Sequence, residues 1–212
     1  MTAQVRIGTP YGEGRLVTHR ARSPLATLLL SHGAGNGIDT SDLQALAGEL
    51  PRNGITVALF EQPWKVAGSP VASPPKTLDV GLTAAANWMR VRTPLVVGGR
   101  SAGARSAART GRSLGAAGCL ALSFPLHPPG KPERSRVEEL REARLPTLVI
   151  QGERDPMGRP EEFPELRGLD LAVVPAADHG LKVGARAPLS QQDVLDIVVE
   201  STLEWVVREI SG

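Results

Sequence analysis

Short apolar runs alternate with segments of helical periodicity through most of this chain. Residues 25–31 (LATLLLS), 55–60 (ITVALF), 95–98, 119–124, 148–151 and 171–174 each read as a buried strand bounded by turn residues. Between them lie amphipathic stretches. A helix starts at Ser41, where Gln44 stands at the capping-box spacing, and carries Leu43, Leu46, Ala47 and Leu50 on one face until Asn53-Gly54 stops it. Residues 77–90 place Leu78, Leu82, Ala85 and Met89 in one stripe, and residues 102–114 form a helix of small residues. Ser135 with Glu138, and Ser190 with Asp193, open two more; the last carries Val194, Ile197, Val198 and Val206. Strands alternating with helices require right-handed βαβ crossovers and a parallel sheet. Residues 1–20 read instead as an antiparallel hairpin turning at 11–14, which makes the sheet mixed. Reactive groups in such a sheet belong beyond the carboxyl ends of its strands.

Composition narrows the alternatives. The 212 residues suit one domain, taken here as 1–212, large enough to bury a core without disulfides or metal. Three Phe, three Trp and one Tyr leave the filling to Ala, Val, Leu and Gly, as close packing of helices on a sheet permits. A net charge of +2 with no long basic block points away from nucleic acid and membrane surfaces. No apolar run approaches the ~20 residues of a bilayer span, and residues 1–14 show no leader pattern, so a cytoplasmic location is expected. Cys119, the one cysteine, sits in an apolar run and reads as buried and inert.

The segment Gly99-Arg100-Ser101-Ala102-Gly103 joins a strand to the small-residue helix. A serine hydroxyl is a poor nucleophile unless it is exposed beside a base, and a sharp strand-to-helix turn achieves that. Glycines two residues either side relieve the crowding such a turn creates. Two nucleotide-binding patterns overlap poorly. Gly98 to Gly103 has phosphate-loop spacing, but Ala104-Arg105 stands where Lys-Ser/Thr is needed. Gly33-Ala34-Gly35-Asn36-Gly37 is G-x-G-x-G, not G-x-G-x-x-G. The turn His32-Gly33-Ala34-Gly35 is better read as a source of backbone N–H groups, those of Ala34 and Ala102 forming an oxyanion hole. His32 then holds the turn through its ring nitrogens. Beyond Ser101, Asp155 follows the strand at 148–151 and His179 follows the strand at 171–174. The order Ser, acid, His favours Ser101, Asp155 and His179, with Asp178 and Glu153 as alternative acids and His127 as alternative base.

The HGAG, GRSAG, ERD and DHG elements together resemble the α/β-hydrolases over nearly the whole chain. LLLSHGAGNG, VGGRSAGAR, ALSFPLHPPGKPE, LVIQGERDPMG and ADHGLKV are similar to the branch containing the testis-expressed hydrolase-like proteins, a hydrolase-like domain of a chromatin acetyltransferase complex subunit, and bacterial homologues. Dienelactone-hydrolase-like enzymes are a broader neighbour whose nucleophile is typically Cys, where this chain has Ser101. The resemblance implies an α/β-hydrolase fold: a mostly parallel eight-stranded sheet flanked by helices. It also supports the same triad.

Only residues 124–136 separate the sixth strand from the next helix, so no lid domain is expected, and the pocket should be open. Its rim is expected from that loop and from 61–76, with Trp64 either facing the site or packing beneath the loop. Arg100 and Lys182 are either solvated or ion-paired, or meet an acidic substrate. These readings predict a serine hydrolase of small or short-chain carboxylic esters, lactones or thioesters, with a small-molecule acyl substrate as its partner. A non-catalytic scaffold and an acyltransferase with the same triad are the alternatives. No metal-ligand spacing occurs, so neither metal nor organic cofactor is predicted.

Overall fold

The computed structural model describes residues 2–210; the outermost positions of the 1–212 span lie outside the described residues. Its eight strands form one sheet: β1 (Thr2–Thr9), β2 (Gly12–His19), β3 (Ala26–Ser31), β4 (Ile55–Glu61), β5 (Leu95–Arg100), β6 (Gly118–Leu122), β7 (Thr147–Gly152) and β8 (Leu169–Val174). Their spatial order is β1-β2-β4-β3-β5-β6-β7-β8. The pairs β1–β2 and β2–β4 are antiparallel, and all others are parallel. The mixed sheet expected from the hairpin is present. Its turn is the two-residue Pro10-Tyr11 link, since Thr9 already pairs with Gly12, so residues 12–14 lie in β2.

Strands β3 to β7 are buried along their whole length because helices cover both faces. Helices α1 (Ser41–Glu49) and α6 (Gln191–Glu209) pack one face, around Leu43, Leu46, Val194, Val198 and Trp205. Helices α3 (Pro75–Met89), α4 (Ala102–Thr110) and α5 (Val137–Ala143) cover the other, around Leu82, Ala85, Ala104, Ala107 and Leu140; the short α2 (Pro63–Val66) lies between β4 and α3. Cys119 is fully buried here, and burial pushes its thiol up to about 12, which leaves it protonated and inert.

Two helix starts differ from the sequence reading. Thr40, not Ser41, is the N-cap of α1, and the Gln44 side chain turns back to the Ile38 carbonyl (2.7 Å) instead of closing a box. Helix α5 begins after Arg136, and Ser135 Oγ accepts from the Val137 N–H in a local turn. At α6 the Ser190–Asp193 box closes in both directions. Residues 123–136, between β6 and α5, hold only the 3-10 turn Pro132–Arg134 and add no lid.

Candidate active site

Strand β5 runs straight into α4 through Ser101, whose φ of 53° and ψ of −110° fall outside the ordinary regions for an L-residue. Backbone bonds hold it there: Ser101 N–H donates to Leu122 O (2.9 Å), and Ser101 O accepts from Arg105 N–H (3.1 Å). Flanking glycines permit the turn. A Cβ on Gly103 would lie 2.5 Å from the Ser31 carbonyl oxygen, and one on Gly99 would press on the same oxygen. The end of β3 therefore meets the start of α4 backbone to backbone. The Gly33 position also faces Ser101, so the turn carrying Ala34 borders the serine hydroxyl. Ala102, as the first residue of α4, has an N–H with no intrahelical acceptor, and Ala34 is exposed in the facing turn.

His179 reaches Ser101 from the loop after β8. Its Nε2 lies 3.0 Å from Ser101 Oγ, and its Nδ1 lies 2.7 Å from Asp155 Oδ2. Asp155 is fully buried and also accepts from the Met157 N–H (2.8 Å) and the Gln151 side-chain amide (2.8 Å). A carboxylate with donors on both oxygens has one orientation, and it fixes the proton on His179 Nδ1. The other two candidate acids serve turns. Asp178 Oδ1 accepts from Gly180 and Lys182 N–H, and Glu153 Oε2 accepts from Ala176 N–H. A Cβ on Gly152 would strike the Ala177 and Asp178 carbonyls at 2.6 Å, so that glycine lets the His179 loop close onto the end of β7.

The other histidines stand apart. His32 Nδ1–H donates to Gly33 O (2.8 Å), and its Nε2 accepts from Gln62 N–H (3.0 Å), which pins the Gly33-Ala34 turn to the segment after β4. That geometry requires the neutral ring, and burial lowers its pKa accordingly. His127 places Nδ1 on Pro128 O (2.9 Å) and Nε2 on Glu162 (2.8 Å). Both partners are acceptors, which favours the doubly protonated ring, and the Pro128 carbonyl and Glu162 raise its pKa. Trp64 packs under its loop against His32, ring centroids 5.5 Å apart, and does not form a rim.

Two supports were not placed by the sequence: the partner of Arg100, which was expected to be solvated or ion-paired, and Gln151. Arg100 is buried against Asp42, their side chains 8% and 2% exposed. Arg100 Nε and Asp42 Oδ2 are 2.9 Å apart, a charge contact without hydrogen-bond alignment. The other arm, Nη2, donates to the His179 carbonyl (2.8 Å). One side chain thus joins the residue before Ser101 to the backbone of His179. Gln151 is the second support: its amide also reaches Gly158 O (2.8 Å) and so braces the Asp155 turn. A charged residue inside the run Leu95–Arg100 was the available signal for the first, and nothing in the sequence marked its partner. Beside the site lies an open cavity of about 440 Å³ walled by residues 36–41 and 178–182 with Arg100 between them. This cavity is lined by neither Ser101 nor His179, and by no residue of 61–76 or 124–136, the loops expected to rim the substrate pocket.

Family comparison is consistent with this architecture. A profile described as alpha/beta hydrolase domain matches residues 24–207. The chain belongs to the α/β-hydrolase family. Among solved structures, a lidless α/β serine hydrolase from Xanthomonas campestris superposes with a TM-score of 0.77 at 19% identity, covering 100% of this chain and 96% of that one. A dienelactone hydrolase from Anabaena variabilis gives 0.75 at 16% identity, covering 99% and 98%. The esterase domain of a Rhodothermus marinus protein gives 0.74 at 14%, covering 100% of each. At these identities the likeness is one of fold. Among its described residues this chain, like the first of these α/β-hydrolases, carries no lid, and no helix is long and apolar enough to cross a membrane.

Proposed function

We propose that this α/β-hydrolase cleaves small or short-chain carboxylic esters, lactones or thioesters through an acyl-enzyme on Ser101. The observation that carries the reading is the unbroken line from Ser101 Oγ through the His179 ring to Asp155 Oδ2, with the serine held on a strained elbow. His179 Nε2 takes the Ser101 proton as Oγ attacks the carbonyl carbon, and Asp155 stabilises the imidazolium that forms. The N–H groups of Ala34 and Ala102 receive the developing oxyanion, each such donor accounting for about 10²–10³ in kcat. The imidazolium then protonates the leaving group, and water deprotonated by His179 releases the acid.

The open site without a lid and the shortage of large side chains favour small acyl groups. The LHPPGKP segment supports placement in the testis-expressed branch, and a lone buried thiol fits a reducing, cytoplasmic setting. The test is labelling with a fluorophosphonate and location of the adduct by mass spectrometry. Modification at Ser101, lost in Ser101→Ala and accompanied by hydrolysis of p-nitrophenyl acetate, is expected. A folded protein that takes no label at Ser101 refutes the reading and leaves a scaffold role.

A further inference from the structure

His127 lies outside the line from Ser101 through His179 to Asp155, yet it holds the segment that carries Asp155 at two points. That segment, residues 155–162, follows β7 and ends in the 3-10 turn Pro160–Glu162. Near its start the His127 N–H donates to Met157 O (3.0 Å), and the Met157 N–H donates to Asp155 Oδ1 (2.8 Å). At its end His127 Nε2 lies 2.8 Å from Glu162 Oε2, while Glu162 Oε1 accepts from the Arg159 N–H (2.8 Å). One residue thus spans the segment from the Asp155 turn to its far end.

The loop that supplies His127 is itself braced. Leu126 O accepts from the Arg136 N–H (2.7 Å), and Arg136 Nη1 donates to Pro125 O (2.9 Å), which ties the loop to the start of α5. Pro128 O accepts from the Lys131 N–H (3.0 Å) and also faces His127 Nδ1 (2.9 Å). A Cβ on Gly158 would lie 2.6 Å from Leu126 Cβ, so the loop and the segment are in close contact. Pro128, Pro129 and Pro132 stiffen the loop, and a change at the ring therefore passes to residues 155–162. Both ring contacts are with oxygen acceptors, and only the imidazolium can donate to both. Loss of one proton leaves a nitrogen lone pair facing an oxygen, and one of the two contacts is given up. The charged groups acting on the buried ring are Glu162, which favours the proton, and Arg136, which opposes it; with the Pro128 carbonyl, Glu162 prevails and the pKa is raised.

We propose that His127 is a positioning residue for Asp155: its protonated ring clamps residues 155–162, and its deprotonation loosens Asp155 and slows turnover at Ser101. The proposal rests on the serine-hydrolase reading. On p-nitrophenyl acetate between about pH 6 and 10, corrected for alkaline hydrolysis, kcat/KM should fall on the alkaline side by about three- to tenfold, the worth of one net hydrogen bond. In Glu162→Gln, on an exposed turn, the fall should move to lower pH, because the ring has lost its charged partner. In His127→Gln it should vanish, leaving activity near the alkaline level of the wild type throughout. A residue that only maintained the fold would lower every point of the profile alike. No alkaline fall in the wild type, or a fall at the same pH in Glu162→Gln, overturns the clamp, and the second comparison stands even if His127→Gln does not fold. A second readout needs no turnover. The downfield proton NMR signal between His179 Nδ1 and Asp155 should lose downfield shift as His127 deprotonates, and do so at lower pH in Glu162→Gln. Absence of fluorophosphonate labelling at Ser101 would overturn the hydrolase reading; the clamp on Asp155 would then stand or fall on this signal, and is refuted if it follows the same pH course in both proteins.

Discussion

Removing Asp42 should be among the costliest single changes to this protein. Its carboxylate is 2% exposed and lies 2.9 Å from an Arg100 guanidinium that is itself 8% exposed. Asp42→Ala leaves a cation in the interior with only the His179 carbonyl as acceptor. Breaking one side of a buried pair costs about 3–5 kcal/mol, against a total stability of about 5–15 kcal/mol for a domain. At about 2–4 °C per kcal/mol for a chain of this size, the thermal midpoint falls by about 6–20 °C. The double variant Asp42→Leu/Arg100→Met removes both charges and should regain most of that loss, since apolar replacement of a buried pair is often neutral or stabilising. It cannot regain the bond from Arg100 Nη2 to the His179 carbonyl. Hydrogen bonds to charged groups are worth about 1.5–3 kcal/mol, so kcat/KM on p-nitrophenyl acetate should fall about 10- to 150-fold in a well-folded double variant. Urea titrations read the first quantity and steady-state kinetics the second. A loss below about 1 kcal/mol in Asp42→Ala would mean the pair behaves as a surface pair. A double variant with wild-type kcat/KM would mean Arg100 does not position the base.

Three further outcomes follow from other parts of the site. Ser101→Gly should be more stable than Ser101→Ala by about 1 kcal/mol in urea titrations, because backbone strain of about 1–3 kcal/mol is relieved against a smaller glycine entropy cost; neither should turn over ester. Gln151→Met should lose about 1–3 kcal/mol from the unpaired Gly158 carbonyl and lower kcat/KM as Asp155 loosens, both measurable in one purified variant. The Arg159 N–H and His127 hold Glu162 below the ordinary carboxylate value of 4.5, and the Pro128 carbonyl and Glu162 hold His127 above 6.5. His127 contributes fully below its unfolded value and loses that contribution as pH rises through its folded one, while Glu162 contributes above its unfolded value and loses that as pH falls through its folded one. The midpoint penalty of Glu162→Gln should therefore be largest near about pH 5.5 and shrink toward about pH 9; a penalty that is constant with pH refutes the charged pair.

The strands were legible because a strand covered on both faces is a continuous apolar run, and the runs end at turn residues. Ser101, Asp155 and His179 were singled out by their positions just after three such runs, and the structure brings them together. Helix starts were less legible. Thr40 and Ser41 both satisfy a capping rule, and the Gln44 side chain, bonded to the Ile38 carbonyl, does not close a box on Ser41. That Arg100 pairs with Asp42 in particular, and the role of Gln151, were not legible, because a distant partner is brought to a charge or an amide only by the fold. Which way Trp64 packs was left open for the same reason: its neighbour His32 is close only in space.

Between the end of β3 and the start of α4 no side chain intervenes, since Gly99 and Gly103 let the Ser31 carbonyl approach peptide groups directly. Distances set through side chains fluctuate with their rotamers; this one has no rotamers to exchange. The spacing between Ser101 and the turn that faces it should thus vary little with temperature. It also has no intermediate setting: any residue larger than glycine changes it abruptly, and no compensating substitution at a neighbouring side chain can restore it. In evolutionary terms, the loops at 36–41 and 178–182 can change side chain by side chain, while the spacing between Ser101 and the Gly33-Ala34 turn cannot be tuned by degrees.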